Sequence, residues 1–110
     1  MCYSINGDYM IDKITIYEAK TFKERLFGLM FKKNIDYCLL FRNCNSIHTF
    51  FMKENIDVVM TDKNNNILFI KKNMKKNRII FPKKGVYKTY EFPANFIKNL
   101  NVNDKLKIRD

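Results

Sequence analysis

The chain has 110 residues, 46% hydrophobic and 15% aromatic, which suits one packed domain and excludes a disordered segment. No apolar run approaches the roughly 18–20 residues that span a bilayer, and the N-terminus lacks the basic-then-apolar pattern of a signal peptide. The net charge of +10 favours an anionic partner over a cationic one.

Residues 1–12 show little periodicity and read as a loose lead-in, and residues 13–110 read as a single domain. Residues 13–18 alternate, with Ile14 and Ile16 on one face and Thr15 and Tyr17 on the other, which predicts a strand. Thr21-Phe-Lys-Glu24 has the capping-box pattern and starts a short helix over about residues 21–29. Phe22 and Leu26 share a face of this helix. Gly28 is placed to end it, because glycine adopts positive φ without steric cost. Short strands are expected over residues 37–41, 47–52, 57–61, 67–71, 78–81, 86–92 and 105–108, where β-branched and aromatic residues gather between turn signals. Asp62-Lys-Asn-Asn-Asn66 reads as a hairpin loop and Pro82-Lys-Lys-Gly85 as a turn. Residues 94–100 read as a helical turn with Phe96, Ile97 and Leu100 facing inward. The result is a mainly β fold, a compact β-sandwich or barrel-like domain of about seven or eight short strands.

The charge is uneven. Residues 1–62 carry eight basic and eight acidic side chains, whereas residues 63–90 carry nine basic and no acidic ones. The three cysteines, Cys2, Cys38 and Cys44, are an odd number, which does not suit a closed disulfide framework. Free thiols in a reducing, cytoplasmic setting are the simpler reading.

The elements Thr21-x3-Arg25-x2-Gly28-Leu29-Met30 and Cys44-x-Ser46-Ile47-His48-Thr49-x2-Met52-x4-Asp57, followed by Glu91 and Asp104, resemble the domain-of-unknown-function-192 family over residues 13–108. The resemblance implies a compact, mainly β sandwich-like or barrel-like fold with a short N-terminal helix. It implies no accepted reaction and no catalytic residues. Asn95 and Asn103 stand where the family usually has glycine. Asparagine tolerates positive φ best among the other residues, so both turns are expected to survive.

Two functional readings follow. The first is a non-catalytic binding or accessory module whose basic face, residues 71–88, contacts an acidic protein, nucleic acid or polyanion. Lys71, Lys72, Lys75, Lys76, Arg78, Lys83, Lys84 and Lys88 carry that face, interleaved with Phe69, Phe81, Tyr87 and Tyr90. The competing reading of this segment is a solvated cationic face with its aromatics in the core. The second function is a small enzyme or ligand-binding barrel with a polar site around His48, Arg25, Cys44 and Asp57. On a strand, Cys44 and His48 lie about 13 Å apart, too far for a thiolate–imidazole dyad without a bend. Asp57 is expected to cap backbone N–H groups, and Arg25 to bond carbonyls or an acid. The spacing Cys38-x5-Cys44-x3-His48 suits no usual zinc site, so no metal or other cofactor is expected.

Overall fold

The structure, a computed structural model, describes residues 2–5, 8–11 and 14–108, with the backbone alone at residues 2–5, 8–11, 22 and 108. The described residues form ten strands and one helix: β1 (Cys2–Ile5), β2 (Asp8–Ile11), β3 (Thr15–Glu18), α1 (Phe22–Phe27), β4 (Tyr37–Arg42), β5 (Ile47–His48), β6 (Ile56–Thr61), β7 (Ile67–Met74), β8 (Ile79–Ile80), β9 (Lys88–Pro93) and β10 (Lys105–Ile108). The mainly β expectation holds. The main sheet has five strands in the order β3-β4-β9-β6-β7, with open edges at β3 and β7. It is therefore a sheet of sandwich type and not a closed barrel. A smaller sheet, β1-β2-β10, and a two-stranded ribbon, β5-β8, complete the fold.

Both faces of the main sheet are buried. One cluster holds Ile14, Cys38, Leu40, Val59, Phe92, Ile97 and Leu106. The other holds Leu29, Leu39, Phe41, Met52, Val58 and Met60. Because side chains alternate along a strand, Cys38 and Leu40 serve the first cluster while Leu39 and Phe41 serve the second. Every residue of β6 is buried, as expected for an inner strand covered on both sides.

α1 starts as its capping box requires. Thr21 Oγ1 accepts from the Glu24 backbone N–H at 3.1 Å, and Glu24 Oε1 accepts from the Thr21 N–H at 2.9 Å. These bonds to backbone N–H groups hold the Glu24 carboxyl below its usual range. Gly28 closes the helix at φ 51°, and its N–H donates to the Glu24 carbonyl at 2.8 Å. Leu26 and Phe27 are exposed, so only part of this short helix packs inward.

Three segments differ from the sequence expectation. Residues 2–5 and 8–11, expected in a loose lead-in, form an antiparallel pair, and β10 joins β2 in parallel. The β1–β2 pair is local, but the strand that completes its sheet comes from the far end of the chain, which local periodicity does not signal. Residues 1, 6, 7 and 12 of that lead-in lie outside the described residues. The strand expected over residues 47–52 stops at His48, because Thr49 turns away to bond the 75–78 turn. Its hydroxyl donates to the Lys75 carbonyl at 2.7 Å and accepts from the Arg78 N–H at 2.8 Å.

Residues 94–100 carry no helix. Two N–H groups there donate instead to a buried carboxylate: Asn95 N–H to Asp57 Oδ1 at 3.2 Å and Ile97 N–H to Asp57 Oδ2 at 3.0 Å. Ile97 is buried as expected, with Phe96 and Leu100 packed beside it. Asn95 and Asn103 take φ 65° and 80°, so asparagine does keep both turns.

Asp57 also accepts from the Asn73 N–H at 2.8 Å, at a register shift between β6 and β7. Asn73 is itself left-handed at φ 51°. The carboxylate thus takes an N–H that the bulge frees and two from the 94–100 loop. Asp57→Ala leaves three backbone donors without this acceptor, and the expected loss is about 3 kcal/mol or more in a urea melt.

Candidate functional site

The sequence-derived polar residues divide into two places. Arg25, Cys44 and His48 line one cleft of about 130 Å³. Asp57 is fully buried in β6 and serves the backbone as described, away from that cleft.

The cleft lies where α1 and the following turn cover the second face of the main sheet. Arg25 is positioned by carbonyls: its guanidinium donates to the Arg42 oxygen at 2.9 Å and to the Asn43 oxygen at 3.5 Å. Cys44 follows β4, after Asn43 turns the chain at φ 52°. Its N–H donates to the Tyr87 carbonyl at 2.9 Å, and its own carbonyl accepts from Thr89 Oγ1 at 3.0 Å. The Cys44 thiol points to the Ser46 carbonyl at 3.2 Å. His48 Nδ1 accepts from the Phe50 N–H at 3.3 Å, and the imidazole stacks on the Phe50 ring at 5.1 Å. Cys44 and His48 therefore share a cleft without bonding each other: the Cys44 thiol and His48 Nδ1 are each turned to a neighbouring backbone group.

The residue that sequence reasoning missed is Glu91. It sits in the middle of β9, paired across to Leu39 of β4 and Val58 of β6. It is only 5% exposed, and it lines the cleft. Among the described residues it has no hydrogen-bond or ion-pair partner; the one ion pair there joins Arg42 and Glu18 at 3.0 Å. Burial pushes its carboxyl from the ordinary 4.5 up to about 8, because an apolar site disfavours the charged form. Gly28 lies against it. A Cβ built on Gly28 would stand 3.9 Å from Glu91 Oε1 and 3.3 Å from Phe41 Cζ. A signal was present in the sequence: an acid flanked directly by two aromatic residues, Tyr90 and Phe92, within a strand.

Beside Glu91 and the polar side chains of Arg25, Cys44, Ser46 and His48, the cleft walls are apolar: Leu29, Met30, Phe41, Ile47 and Met52. At its mouth Leu26 and Phe27 are exposed. Nearby, Phe31 and Phe51 both adopt left-handed backbone, at φ 64° and 63°. Their rings stack at 5.8 Å, and the Phe31 N–H donates to the Phe51 carbonyl at 3.0 Å. Left-handed backbone is unfavourable for bulky residues, so these contacts hold a strained rim in place.

The basic residues are also divided. Lys71, Lys75, Arg78 and Lys83 line a groove of about 440 Å³ with Met74, Ile79, Ile80 and Phe81. Lys72, Lys76 and Lys84 are exposed outside it. Lys88 turns inward and donates to Asn65 Oδ1 at 3.1 Å. The interleaved aromatics do not all point into the core. Tyr90 is buried and Phe81 is 72% exposed, while Phe69 and Tyr87 carry Lys83 and Lys63 over their faces at 4.2 and 5.2 Å. Among the described residues no group of three or more His, Cys, Asp or Glu is placed to hold a metal ion. No helix among them is long and apolar enough to cross a membrane.

This architecture, an open, doubly covered sheet with a cleft under a short capped helix, is that of an uncharacterised protein family without an established activity. The chain belongs to that family, DUF192, described as "Uncharacterized ACR", which it matches over residues 3–109. The UPF0127 protein TK1120 of Thermococcus kodakarensis is 37% identical over 92 residues, covering 78% of this chain and 58% of that protein. The UPF0127 protein PH1112 of Pyrococcus horikoshii is 36% identical over 97 residues, covering 81% and 83%. The chain thus spans less than two thirds of the length of the Thermococcus relative. Among solved structures, a Sinorhizobium meliloti 1021 protein described as a candidate transcription regulator shares the fold, with a TM-score of 0.73 at 18% identity over 84% of this chain and 79% of that one. A protein of unknown function from Novosphingobium aromaticivorans matches with a TM-score of 0.67 at 12% identity, over 86% and 71%.

Glu91 makes stability depend on pH. An acid whose folded pKa is raised gives the protein its full stability below the unfolded value, here 4.5, and that stability is lost as pH rises through about 8. The melting temperature should therefore fall between pH 5 and 8 by on the order of 10 °C. Glu91→Gln, which keeps the shape and removes the charge, should remove most of that fall in a pH series of thermal melts.

Proposed function

We propose that this chain is a non-catalytic binding module whose ligand site is the cleft over Glu91. One observation carries the reading: an unpartnered buried carboxyl is costly unless something meets it, and the residues that bear the family resemblance converge on it. Arg25, Gly28, Leu29, Met30, Cys44, Ser46, Ile47, His48, Met52 and Glu91 line the same space. Binding is favoured over catalysis because the Cys44 thiol is directed at the Ser46 carbonyl and His48 Nδ1 is taken up by the Phe50 N–H, so neither is bonded to the other. The described cysteines, Cys38 and Cys44, are free thiols, which accords with a reducing, cytoplasmic setting. A ligand-observed NMR screen of small polar compounds tests the site. Hits should lose their signal in Ser46→Leu, which fills the rim and leaves the Ser46 carbonyl for Cys44, while the melting temperature stays nearly constant. Hits that survive this substitution place the ligand elsewhere.

A second reading rests on the groove between Lys71 and Lys83, a cationic rim over an apolar floor. An acidic peptide with an apolar anchor fits it better than a single-stranded nucleic acid. Base stacking needs successive open aromatic faces, and here Phe81 is open while Phe69 and Tyr87 are capped by lysines. A labelled glutamate-rich peptide carrying one leucine should bind at low salt and weaken at least tenfold at moderate salt in an anisotropy titration. Lys75→Glu combined with Arg78→Glu should abolish that binding. Salt-independent binding, or a preference for single-stranded RNA, overturns this assignment.

A further inference from the structure

The chemistry of the cleft specifies more than a site. Building on the reading of the Glu91 cleft as a ligand site, we propose that it takes a short-chain monocarboxylate. The ligand's carboxylate would be held between the Glu91 carboxyl and the Arg25 guanidinium, and its alkyl chain would lie against the apolar walls.

The polar groups facing the cleft are donors. Arg25 has five N–H hydrogens and spends some of them on the Arg42 and Asn43 carbonyls, which leaves others for a ligand. His48 Nδ1 accepts from the Phe50 N–H, so the ring proton sits on Nε2, a donor. The Cys44 S–H is already committed to the Ser46 carbonyl. Glu91 has no partner, and burial keeps its proton on up to about pH 8, so near neutrality it presents an O–H. No other acid lines the cleft. A set of donors with a cation at one side selects an acceptor-rich anion and rejects an ammonium group. A carboxylate receives the Glu91 proton in a short charge-assisted hydrogen bond and offers its second oxygen to Arg25.

Size and walls narrow the class. The cleft holds about 130 Å³, close to the roughly 150 Å³ of an apolar cavity that accommodates benzene, so a ligand of about six non-hydrogen atoms fills it. Leu29, Phe41 and Met52 give an alkyl chain apolar contact, which a bare phosphate could not use. Butyrate has the right length and chemistry to serve as the probe.

The test is an amide NMR titration of the full chain at pH 6.5, with sodium butyrate, n-butylammonium chloride, 1-butanol and sodium phosphate as separate arms. Butyrate should give saturable shifts at Gly28, His48 and Glu91 in roughly the millimolar range. Glu91→Gln, whose amide N–H replaces the carboxyl donor, should bind within a few fold of the natural protein, and Glu91→Leu should lose at least tenfold. Above about pH 8 the natural protein should lose about tenfold per pH unit, and Glu91→Gln should not. The ionisable groups around Glu91 are Arg25 from α1, Cys44 and His48 from the segment after β4, and Cys38 from β4, whose thiol is raised by burial and by Glu91 itself. All of them remain in Glu91→Gln, so the difference between the two profiles belongs to Glu91. Cleft shifts with butylammonium or butanol and none with butyrate overturn the ligand class and leave the site standing. Phosphate binding as tightly as butyrate overturns the role of the alkyl chain. No cleft shift in any arm overturns both the class and the site.

Discussion

Covering the main sheet on both faces leaves β6 and the middle of β9 with no side that reaches water, and every polar group there must then find an internal answer. Thr61 and Thr89 do so by donating from their hydroxyls to the carbonyls of Asp62 and Cys44. Asp57 does so three times, and in doing so it decides where the β6–β7 bulge lies and how the 94–100 loop runs. Glu91 alone among these buried acids and hydroxyls goes unanswered. The same constraint therefore produces both the threefold tie of Asp57 and, among the buried polar residues described, the one open position at Glu91.

The contrast between the two buried acids is instructive. Both sit on inner strands and both are nearly inaccessible. Asp57 meets three backbone N–H groups, which stabilise a carboxylate in place of water. Glu91 faces instead a glycine, Gly28, whose missing Cβ leaves a gap bordered by the side chains of Leu39 and Phe41. Neighbouring donors, more than depth, separate a structural acid from one with chemistry to spare.

Much of the fold was legible in the chain because its signals are local. The Thr21 capping box, the Gly28 stop, the asparagine-rich hairpin at residues 62–66 and the paired Asn95 and Asn103 turns each depend on residues close in sequence. The β1–β2 pair is local in sequence, but its parallel union with β10 joins residues nearly a chain length apart, and no local pattern encodes that union. The short β5 shows the same limit, since Thr49 leaves the strand for partners at Lys75 and Arg78. Of the residues that line the candidate cleft, Arg25, Cys44 and His48 stand out in the sequence by residue type. Asp57 fell in a different place because strand alternation does not reveal a bulge. Glu91 was overlooked because an acid in an apolar strand can be edge-exposed or buried, and strand order, which settles it, is not written locally.

The β5–β8 ribbon stands apart from the main sheet. Ile47 faces Ile80 and His48 faces Ile79 across it. Ile47 and His48 belong to the Glu91 cleft, while Ile79 and Ile80 belong to the basic groove. Just past the ribbon, Thr49 ties its backbone N–H and carbonyl, as well as its hydroxyl, to residues 75–78. The two concavities thus share the ribbon as a common wall, tied at Thr49. A side chain changed at Ile47 or Ile80 therefore sits at the border of both, because each is paired with the other across the ribbon.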